Sequence, residues 1–468
     1  MRACQLYSWP ALKLFCLTKW HDFAKKCGGM FTLKVCILNI IFLLFTFPVY
    51  ASDPIDAIQN DQSVADSLLS EEDGTQTDLS VEVSLLSEED KTQTDLFQTI
   101  ADYSSNEYAV KAVKKNIVLF TGKMRERFSI WLSRSGQYIE LMKRILHEKD
   151  IPEEIVFLPL IESGFNPYAY SPKRAAGYWQ FIASTARKYG LEINWWRDER
   201  RDPVKSTTAA GDYLKDLYEM FGSWNLAIAA YNAGEGKIRR ALNKTKADDY
   251  WDLQKTTYIK RETKNYVPKF IAASLIANSP HEFGFEDLEY LPPLNYDTVI
   301  IESPVDLEIA AQCAETSHDI IKELNPELKR WCTPPDVTGY LLKIPEGNED
   351  IFLQNLSQIP EEERLTVDRY IVKRGDTLTK IAKKTRVPVK VIRDLNRDKD
   401  INPLKAGVEI SVPPKGKYTL DRDDKALMKK TTCRQQQKGA GQKNTKKKAK
   451  STIYRQKRHD EDNDYRKI

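Results

Sequence analysis

The stretch ESGFNPYAYSPKRAAGYWQF, residues 162–181, places one carboxylate directly after the apolar run IVFLPLI. A glycine, an amide and several aromatic side chains follow it closely. Burial of a carboxyl group disfavours its charged form and raises its pKa, so that it can donate a proton near neutral pH. Glu162 is therefore a candidate general acid, and an ordinary charge at a helix end is the alternative interpretation.

Catalytic motifs of other kinds are absent near this stretch. None of the five histidines lies between residues 155 and 235, which argues against a Ser–His–Asp or Cys–His site there. The sequence has no HExxH, GxGxxG or phosphate-loop motif and no zinc-ligand cluster, so we expect neither a metal nor a cofactor. Glycoside cleavage fits better, because it needs a proton donor for the leaving oxygen and aromatic faces can stack on sugar rings.

The usual glycoside hydrolase also requires a second carboxylate, and the spacing selects none. The candidates are Glu154, Asp198, Asp202, Asp212, Glu235 and Glu262. Candidates for sugar stacking are Tyr168, Tyr170, Tyr178, Trp179, Trp195, Trp196, Trp224 and Tyr231, although such side chains are more often part of the core.

The residues around this stretch have helical periodicity. Between residues 128 and 146, apolar side chains recur at three- and four-residue spacing. Further helices are predicted over 204–221, over 223–232 and over 263–278, and Pro152 suits a first helical turn. No alternating strand is evident between 110 and 280. We therefore predict an all-α domain over residues 108–290, with its core at 150–260.

Two segments nearer the C-terminus have strand–helix–helix–strand order. In residues 369–413, the strands YIVK and VEISVP enclose two helices, with Asp376 as the predicted N-cap of the first. Residues 291–350 show a weaker version of the same order. We predict two small α+β modules of βααβ type in a multidomain protein, joined by a linker at 351–368.

The N-terminal residues have the features of an export signal. VCILNIIFLLFTFPVY, residues 35–50, is apolar and is followed by the small residues that signal peptidase requires. We expect residues 1–51 to be a signal peptide or, alternatively, a retained anchor, although the run is short for a membrane span. Met30 is an alternative start to Met1. Either interpretation predicts an exported protein, periplasmic or membrane-associated at the cell envelope.

Two polar segments of opposite charge flank the predicted domains. Residues 52–107 are acidic and contain the near-repeats SLLSEEDGTQTDL and SLLSEEDKTQTDL, and we expect a disordered linker. Residues 414–468 are basic and poor in apolar side chains, which predicts a disordered tail. Such a tail suits an anionic wall polymer or membrane, and no nucleic acid partner is expected. Cys313 and Cys332 are a candidate disulfide in an exported protein.

Three blocks, in order, resemble the lytic transglycosylases of the soluble-transglycosylase, lysozyme-like type. They are ES at 162–163, GYWQ at 177–180 and AYN at 230–232. The loop between the first two contains Ser171, which resembles the family's loop serine. GEG at 234–236 and ETKNYVPK at 262–269 resemble in particular the membrane-bound lytic murein transglycosylase D branch. The resemblance covers roughly residues 110–290 and implies a lysozyme-like catalytic domain.

The resemblance implies a mechanism that needs one carboxylate. Glu162 protonates the oxygen between N-acetylmuramic acid and N-acetylglucosamine, and then removes a proton from the C6 hydroxyl. That hydroxyl closes on C1 and leaves a 1,6-anhydro sugar. The family positions that contact or orient sugar and acid are Ser163, Ser171, Gly177, Trp179, Gln180, Tyr231 and Asn232.

Each of these residues also has an ordinary structural interpretation. Ser171 suits a loop cap, Gln180 suits helix packing and Tyr231 suits the core. As a catalytic residue, Tyr231 would hydrogen-bond Glu162 and hold its protonation state. Where many members have Gly-Leu-Met-Gln, this chain has Gly-Tyr-Trp-Gln, so that Trp179 would take the place of a methionine contact.

The second module, YIVKRGDTLTKIAKKTRVPVKVIRDLN, resembles a LysM domain, which binds polymers containing N-acetylglucosamine. The resemblance implies glycan binding between two loops, formed by Gly375, Asp376, Thr377, Leu378, Ile401, Asn402, Pro403 and Leu404. Residues 291–350 resemble a degenerate relative, for which a role as a spacer is expected.

The partner implied by both resemblances is the GlcNAc–MurNAc strand of peptidoglycan. One alternative is a goose-type-lysozyme-like hydrolase, which carries an aspartate just after the Gly-x-x-Gln block, where this chain has Phe181 and Ile182. The other is a non-catalytic wall-binding protein that uses LysM alone, against which an intact Glu162 argues. The choice between cleavage within strands and cleavage from their ends stays open.

Overall fold

A helical domain occupies residues 107–283 of the computed structural model, which describes residues 106–420 and Asp424. Its helices are α1 (Glu107–Thr121), α2 (Arg125–Ser135), α3 (Ile139–His147), α4 (Leu158–Ser163), α5 (Ala183–Lys188), α6 (Pro203–Phe221), α7 (Trp224–Ala233), α8 (Glu235–Thr245), α9 (Tyr250–Lys255) and α10 (Arg261–Asn278). Short 3₁₀ turns lie at Glu153–Phe157, Glu199–Arg201 and Pro280–Phe283.

Helix α7 lies at the centre of this domain. It packs against α6 and α10, and the run from Ala227 to Ala230 is fully buried. Helix α10 also contacts α1 and α4. The core therefore brings together helices that are far apart in the sequence, including α4, which carries Glu162.

The ends of these helices follow local sequence rules. The Asp202 side chain accepts a hydrogen bond from the Lys205 N–H at 2.8 Å, Pro203 opens α6, and Gly222 closes it in the left-handed region. Gly164 ends α4 at a φ of +57°, directly after the block that contains Glu162. Glu162 thus sits in the last turn of a short helix, as the apolar run before it predicts.

The expectation of no strand between residues 110 and 280 is wrong at one place. Strands β1 (Ala175–Ala176) and β2 (Phe181–Ile182) pair antiparallel, with Ala176 opposite Phe181. Strands of two residues are too short to show alternation in a sequence. We call residues 175–182 the β1–β2 hairpin.

The first module follows the predicted order. It consists of β3 (Tyr296–Ile301), α11 (Leu307–Cys313), α12 (His318–Leu324) and β4 (Tyr340–Pro345), and β3 pairs antiparallel with β4. Helix α13 (Glu349–Ser357) overlaps the predicted linker, and its Phe352 is buried in the core of this module. A short 3₁₀ turn at Glu361–Glu363 leads on to the second module.

The second module consists of β5 (Asp368–Ile371), α14 (Leu378–Thr385), α15 (Val389–Asp394) and β6 (Glu409–Val412). Strands β5 and β6 pair antiparallel, with Tyr370 opposite Ile410. The N-cap of α14 is Thr377 and not the predicted Asp376, whose carboxylate instead accepts from the Tyr370 hydroxyl at 2.8 Å and the Lys373 N–H at 3.0 Å. A domain that is helical apart from the β1–β2 hairpin, followed by two α+β modules, confirms the predicted fold class.

The predicted disulfide is not formed, because Cys313 and Cys332 are both free, buried thiols. Cys313 ends α11 inside the core of the first module. Cys332 belongs to a different cluster, beside Trp331 and the core of the second module. The two thiols are therefore buried in separate hydrophobic clusters.

Predictions for residues 1–105 and for the tail beyond Asp424 lie outside the described residues. Residues 414–420, at the start of the predicted tail, are described, and Lys417 pairs with Asp306 there at 3.0 Å. Among the described residues, no helix combines the length and apolar character that crossing a bilayer requires.

Candidate active site

Glu162 is half-buried in the last turn of α4, and a tyrosine from α10 holds its carboxylate. The hydroxyl of Tyr266 donates a hydrogen bond to Oε1 of Glu162. Burial raises the pKa of Tyr266 well above its usual value, and the charge of Glu162 raises it further. The phenol therefore stays protonated near neutral pH and acts as a donor to the carboxylate.

Tyr231, which was expected to hydrogen-bond Glu162, donates its proton elsewhere. Its hydroxyl bonds to the backbone carbonyl of Trp179 at 2.7 Å. Burial raises the pKa of Tyr231, and the charge of Glu162 adds to this, so the two side chains are close enough to interact electrostatically. A phenol has one proton to donate, so Tyr231 binds the β1–β2 hairpin, while Tyr266 donates to the carboxylate.

Trp179 is fully buried, and its indole Nε1 donates to Thr207 Oγ1 on α6 at 3.0 Å. Its ring has no exposed face, so the predicted sugar contact by the Trp179 side chain is not supported. Among the stacking candidates, Tyr178, Trp195, Trp196 and Trp224 are buried as well. Tyr168, in the loop after Glu162, leaves 46% of its surface exposed and is the better candidate.

Gly177 and Gln180 shape the turn of the β1–β2 hairpin. Gly177 has a φ of +79°, and a Cβ there would overlap the backbone carbonyl of Arg200. Gln180 has a φ of +48°, and its Nε2 donates to the carbonyls of Ala169 and Gly177 at 3.2 and 3.0 Å. Both residues therefore hold the backbone of this turn in place.

The remaining site residues tie the hairpin and the helices together. Ser163 Oγ donates to the Tyr178 carbonyl at 2.8 Å, and Ser171 Oγ accepts from the Ala175 N–H at 3.0 Å. Asn232 Oδ1 accepts from Thr263 Oγ1 at 3.1 Å and so links α7 to α10. The residues of the three predicted blocks thus lie near Glu162, where their hydrogen bonds hold the β1–β2 hairpin and the neighbouring helices together.

The other carboxylates that were considered as a second acid have contacts of their own. Glu154 is buried, which raises its pKa. The partners of the rest are Arg200 for Asp198, Lys343 for Asp202, Lys149 for Asp212, Tyr213 for Glu235 and Lys173 for Glu262. Within the described part of the chain, no group of His, Cys, Asp and Glu side chains is arranged to hold a metal ion.

The two predicted glycan-binding loops of the second module are near each other. Val372 exchanges backbone hydrogen bonds with Gly407 and Val408, which brings the chain before Gly375 beside the chain after Leu404. Exposed positions are Gly375, Thr377, Asn402 and Pro403, and half-buried ones are Asp376, Leu378 and Leu404. Ile401 is 7% exposed and belongs to the module core, so its predicted glycan contact is not supported.

Comparison with known families gives three matches. Residues 142–254 match the transglycosylase SLT domain, residues 295–361 match the LysM-like domain of lytic transglycosylase MltD, and residues 370–413 match the LysM domain. The first module therefore matches the LysM-like domain of MltD, and the matched residues include helix α13.

Among curated proteins, the chain is 32% identical over 298 residues to membrane-bound lytic murein transglycosylase D of Escherichia coli K12, covering 60% of this chain and 64% of that protein. The chain thus spans slightly less than two thirds of that relative. It is 38% identical over 115 residues to a putative tributyltin chloride resistance protein of Alteromonas, covering 24% of this chain and 56% of that protein.

Among solved structures, the 70 kDa soluble lytic transglycosylase of Escherichia coli is similar, with 25% identity, a TM-score of 0.28 and coverage of 33% of this chain and 26% of that one. The family matches confirm the resemblance that the motif blocks predicted. The chain therefore carries a transglycosylase SLT domain, a LysM-like domain of the MltD type and a LysM domain, in that order.

Proposed function

We propose that this protein is a peptidoglycan lytic transglycosylase that cleaves the MurNAc–GlcNAc β-1,4 bond and leaves a 1,6-anhydroMurNAc end. The observation that carries the proposal is the Glu162 carboxylate, which lies within the SLT match at the end of α4 and accepts a hydrogen bond from the neutral phenol of Tyr266. The other carboxylates considered have partners elsewhere or are buried. A reaction that uses one carboxyl group twice fits this arrangement better than one that needs two.

In the first step, protonated Glu162 donates its proton to the glycosidic oxygen, and the bond to C1 of MurNAc breaks. The N-acetyl group of the substrate stabilises the cation, as in substrate-assisted glycosidases. In the second step, the Glu162 carboxylate removes the proton of the C6 hydroxyl, and that oxygen closes on C1. Glu162 is protonated again at the end, so the cycle consumes no water.

Tyr266 suits both steps because its hydrogen bond orients the carboxyl group and stabilises the anion that acts as base. Replacing Tyr266 with Phe removes a hydrogen bond to a charged group, which is worth about 1.5–3 kcal/mol. We expect kcat to fall by about 10- to 100-fold, with a smaller change in KM. Initial rates of muropeptide release from purified peptidoglycan measure both constants.

A matched control for this variant is Tyr250→Phe. Tyr250, on α9, is also buried, and its hydroxyl donates at 2.7 Å to the carbonyl of Lys264 on α10, the helix that carries Tyr266. We expect this variant to lose a similar amount of stability but to keep its turnover. Equal losses of kcat in the two variants would show that Tyr266 acts through stability alone.

Product analysis separates the proposal from its alternatives. A lytic transglycosylase releases muropeptides with anhydro ends, each one water lighter than the reducing ends that a goose-type-lysozyme-like hydrolase releases. A non-catalytic LysM protein releases neither. Mass spectra dominated by reducing ends would replace the proposed reaction with hydrolysis.

We further propose that the LysM loops direct the enzyme to peptidoglycan strands through Gly375, Asp376, Thr377, Leu378, Asn402, Pro403 and Leu404. Hydrogen bonds from the Lys373 N–H and the Tyr370 hydroxyl lower the pKa of Asp376, so this carboxylate is charged at neutral pH. We expect the protein at the bacterial cell envelope, either periplasmic or membrane-associated, where this substrate lies.

The basic tail is proposed to contact an anionic wall polymer or membrane. Lys329 and Arg330 pair with Asp424, so a truncation that tests the tail should begin after Asp424. We expect the shortened chain to sediment less with anionic vesicles or peptidoglycan at low salt. Unchanged sedimentation with both would remove this role from the tail.

A further inference from the structure

We propose that residues 192–202, which we call the docking segment, hold the LysM domain in a fixed placement relative to the β1–β2 hairpin, so that the two domains position one glycan strand as a single unit. This inference rests on the proposed function for its substrate. The usual expectation for an accessory domain on a linker is free relative motion, unless a large apolar interface prevents it.

One face of the docking segment packs against the LysM domain. Trp195 and Trp196 are 3% and 1% exposed, and they share a cluster with Trp331 and the buried core of the LysM domain. Trp196 Nε1 donates to Asp394 Oδ2 on α15 at 2.9 Å, and this bond is buried. Because this indole is both buried and hydrogen-bonded, it restricts the relative orientation of the docking segment and α15.

Charged side chains surround this aromatic contact and join all three domains. Asp336 of the LysM-like domain pairs with Arg197 of the docking segment at 2.9 Å and with Lys390 of the LysM domain at 3.1 Å. Lys390 also pairs with Asp394 at 2.9 Å. The side chains of Asp336 and Arg197 are largely buried, so separating them would remove a charged partner from that carboxylate, and the contact favours one arrangement of the domains.

The LysM-like domain meets the docking segment through its backbone. The Asp198 N–H donates to the Glu327 carbonyl at 2.8 Å, and the Lys329 N–H donates to the Trp196 carbonyl at 2.9 Å. Lys343 of β4 pairs with both Asp202 and Glu327, at 2.7 and 3.1 Å. These contacts give the LysM-like domain a structural role that does not depend on glycan binding.

The opposite side of the docking segment holds the hairpin beside Glu162. Arg200 is fully buried and donates to the Arg174 carbonyl, directly before β1, at 2.9 Å and to the Phe181 carbonyl, in β2, at 3.0 Å. The backbone of Arg200 also lies directly against Gly177. One short segment therefore supports the hairpin on one side and the LysM domain on the other.

The chain that follows the LysM domain closes over the same junction. The Arg330 guanidinium lies 4.0 Å from the centre of the Trp195 ring, and Asp424 pairs with Arg330 at 2.6 Å. The ring of Tyr418 lies 5.3 Å from that of Trp195. The LysM domain thus contacts the docking segment through its core residues and through the segment that follows it. The loop positions Gly375 and Asn402 remain exposed and accessible to a glycan.

The first test measures the placement itself, without any enzyme assay. Spin labels on cysteines at the exposed positions Lys237 and Lys405, in a full chain keeping Cys313 and Cys332 as its only native cysteines, report the distance between the SLT and LysM domains. We expect a single narrow distribution in the parent and a broad one in Trp196→Ala. Trp196→Phe, which keeps an aromatic ring but not the indole N–H, should lie between them.

The second test compares two substrates. Asp394→Ala, which removes the partner of Trp196 from the LysM side and leaves the docking segment unchanged, should cleave a short muro-oligosaccharide, which cannot reach both domains, at the parent rate. On long peptidoglycan strands its KM should rise about tenfold or more, because the second contact is no longer held at a high effective concentration. Trp196→Ala, which loses the ring as well as the hydrogen bond, should raise the KM on long strands further, and Asp394→Ala keeps the test decisive where Trp196→Ala folds poorly.

Two results would overturn the inference. One is a broad distance distribution in the parent chain, and the other is an unchanged KM on long strands in a variant whose distribution has broadened. Failure of the proposed function gives a different result, since the parent would then release no anhydro products from either substrate while the distances still report on docking.

Discussion

Glu162→Gln in the full-length chain is expected to lower the release of anhydro-muropeptides by about 10²- to 10⁴-fold, the range of general acid–base catalysis. The amide has nearly the same shape and can still accept the hydrogen bond from Tyr266. It can neither donate a proton to the glycosidic oxygen nor remove one from the C6 hydroxyl, so both proposed steps fail together. The rate is measured on purified peptidoglycan by mass analysis of soluble products.

The matched control is Glu262→Gln. Glu262 was a candidate second acid, and it pairs with the exposed Lys173 at 3.2 Å. Exposed ion pairs contribute little to stability, so this variant should keep the parent rate. Equal turnover by Glu162→Gln and the parent would contradict the assignment of Glu162 as the catalytic residue. A large loss of turnover in Glu262→Gln would instead indicate a reaction with two carboxylates.

Gly177→Ala is expected to destabilise the SLT domain by about 3 kcal/mol or more. A methyl group there would overlap the Arg200 carbonyl, and the φ of +79° disfavours any side chain. Arg200 cannot move easily, because its guanidinium is bonded to Asp198 and to both sides of the hairpin. Chemical denaturation measures the loss, and the activity of any folded fraction should fall because the hairpin is displaced.

Gly236→Ala gives the comparison for this second variant. Gly236 lies in α8, and the nearest atom to an added Cβ is the Arg240 Nη1 at 3.5 Å. Alanine favours a helix over glycine by about 1 kcal/mol, so this change should be neutral or stabilising. If Gly177→Ala unfolds at the same denaturant concentration as the parent, the close approach of Arg200 does not constrain this position.

Local patterns in the sequence predict the helices and the modules well. The entrance to α6 at residues 202–203 follows from a capping aspartate and a proline, and both small modules follow from short strands that enclose two helices. Position 162 could be singled out because an apolar run precedes it. In each case the deciding residues are neighbours in the chain.

What the sequence did not predict depends on distant contacts. Tyr266 lies 104 residues from Glu162, so no spacing rule connects them. The one sequence signal for this residue is its position within the block ETKNYVPK, which resembles a block of the family. Trp179 was expected to face the sugar, but a hydrogen bond to Thr207 on α6 draws it into the core. Asp202 was a candidate second acid, but its carboxylate caps α6 and pairs with Lys343, a contact that joins two domains.

The aromatic junction has a practical consequence for experiments that shorten this chain. Deleting the LysM domain would leave Trp195, Trp196 and Trp331 without the side chains that now cover them. Large newly exposed apolar patches promote aggregation, so a truncated protein could lose the proposed activity for reasons unrelated to glycan binding. The contribution of LysM is therefore better measured with substitutions at its exposed loops, such as Thr377 or Asn402, than by removing the domain.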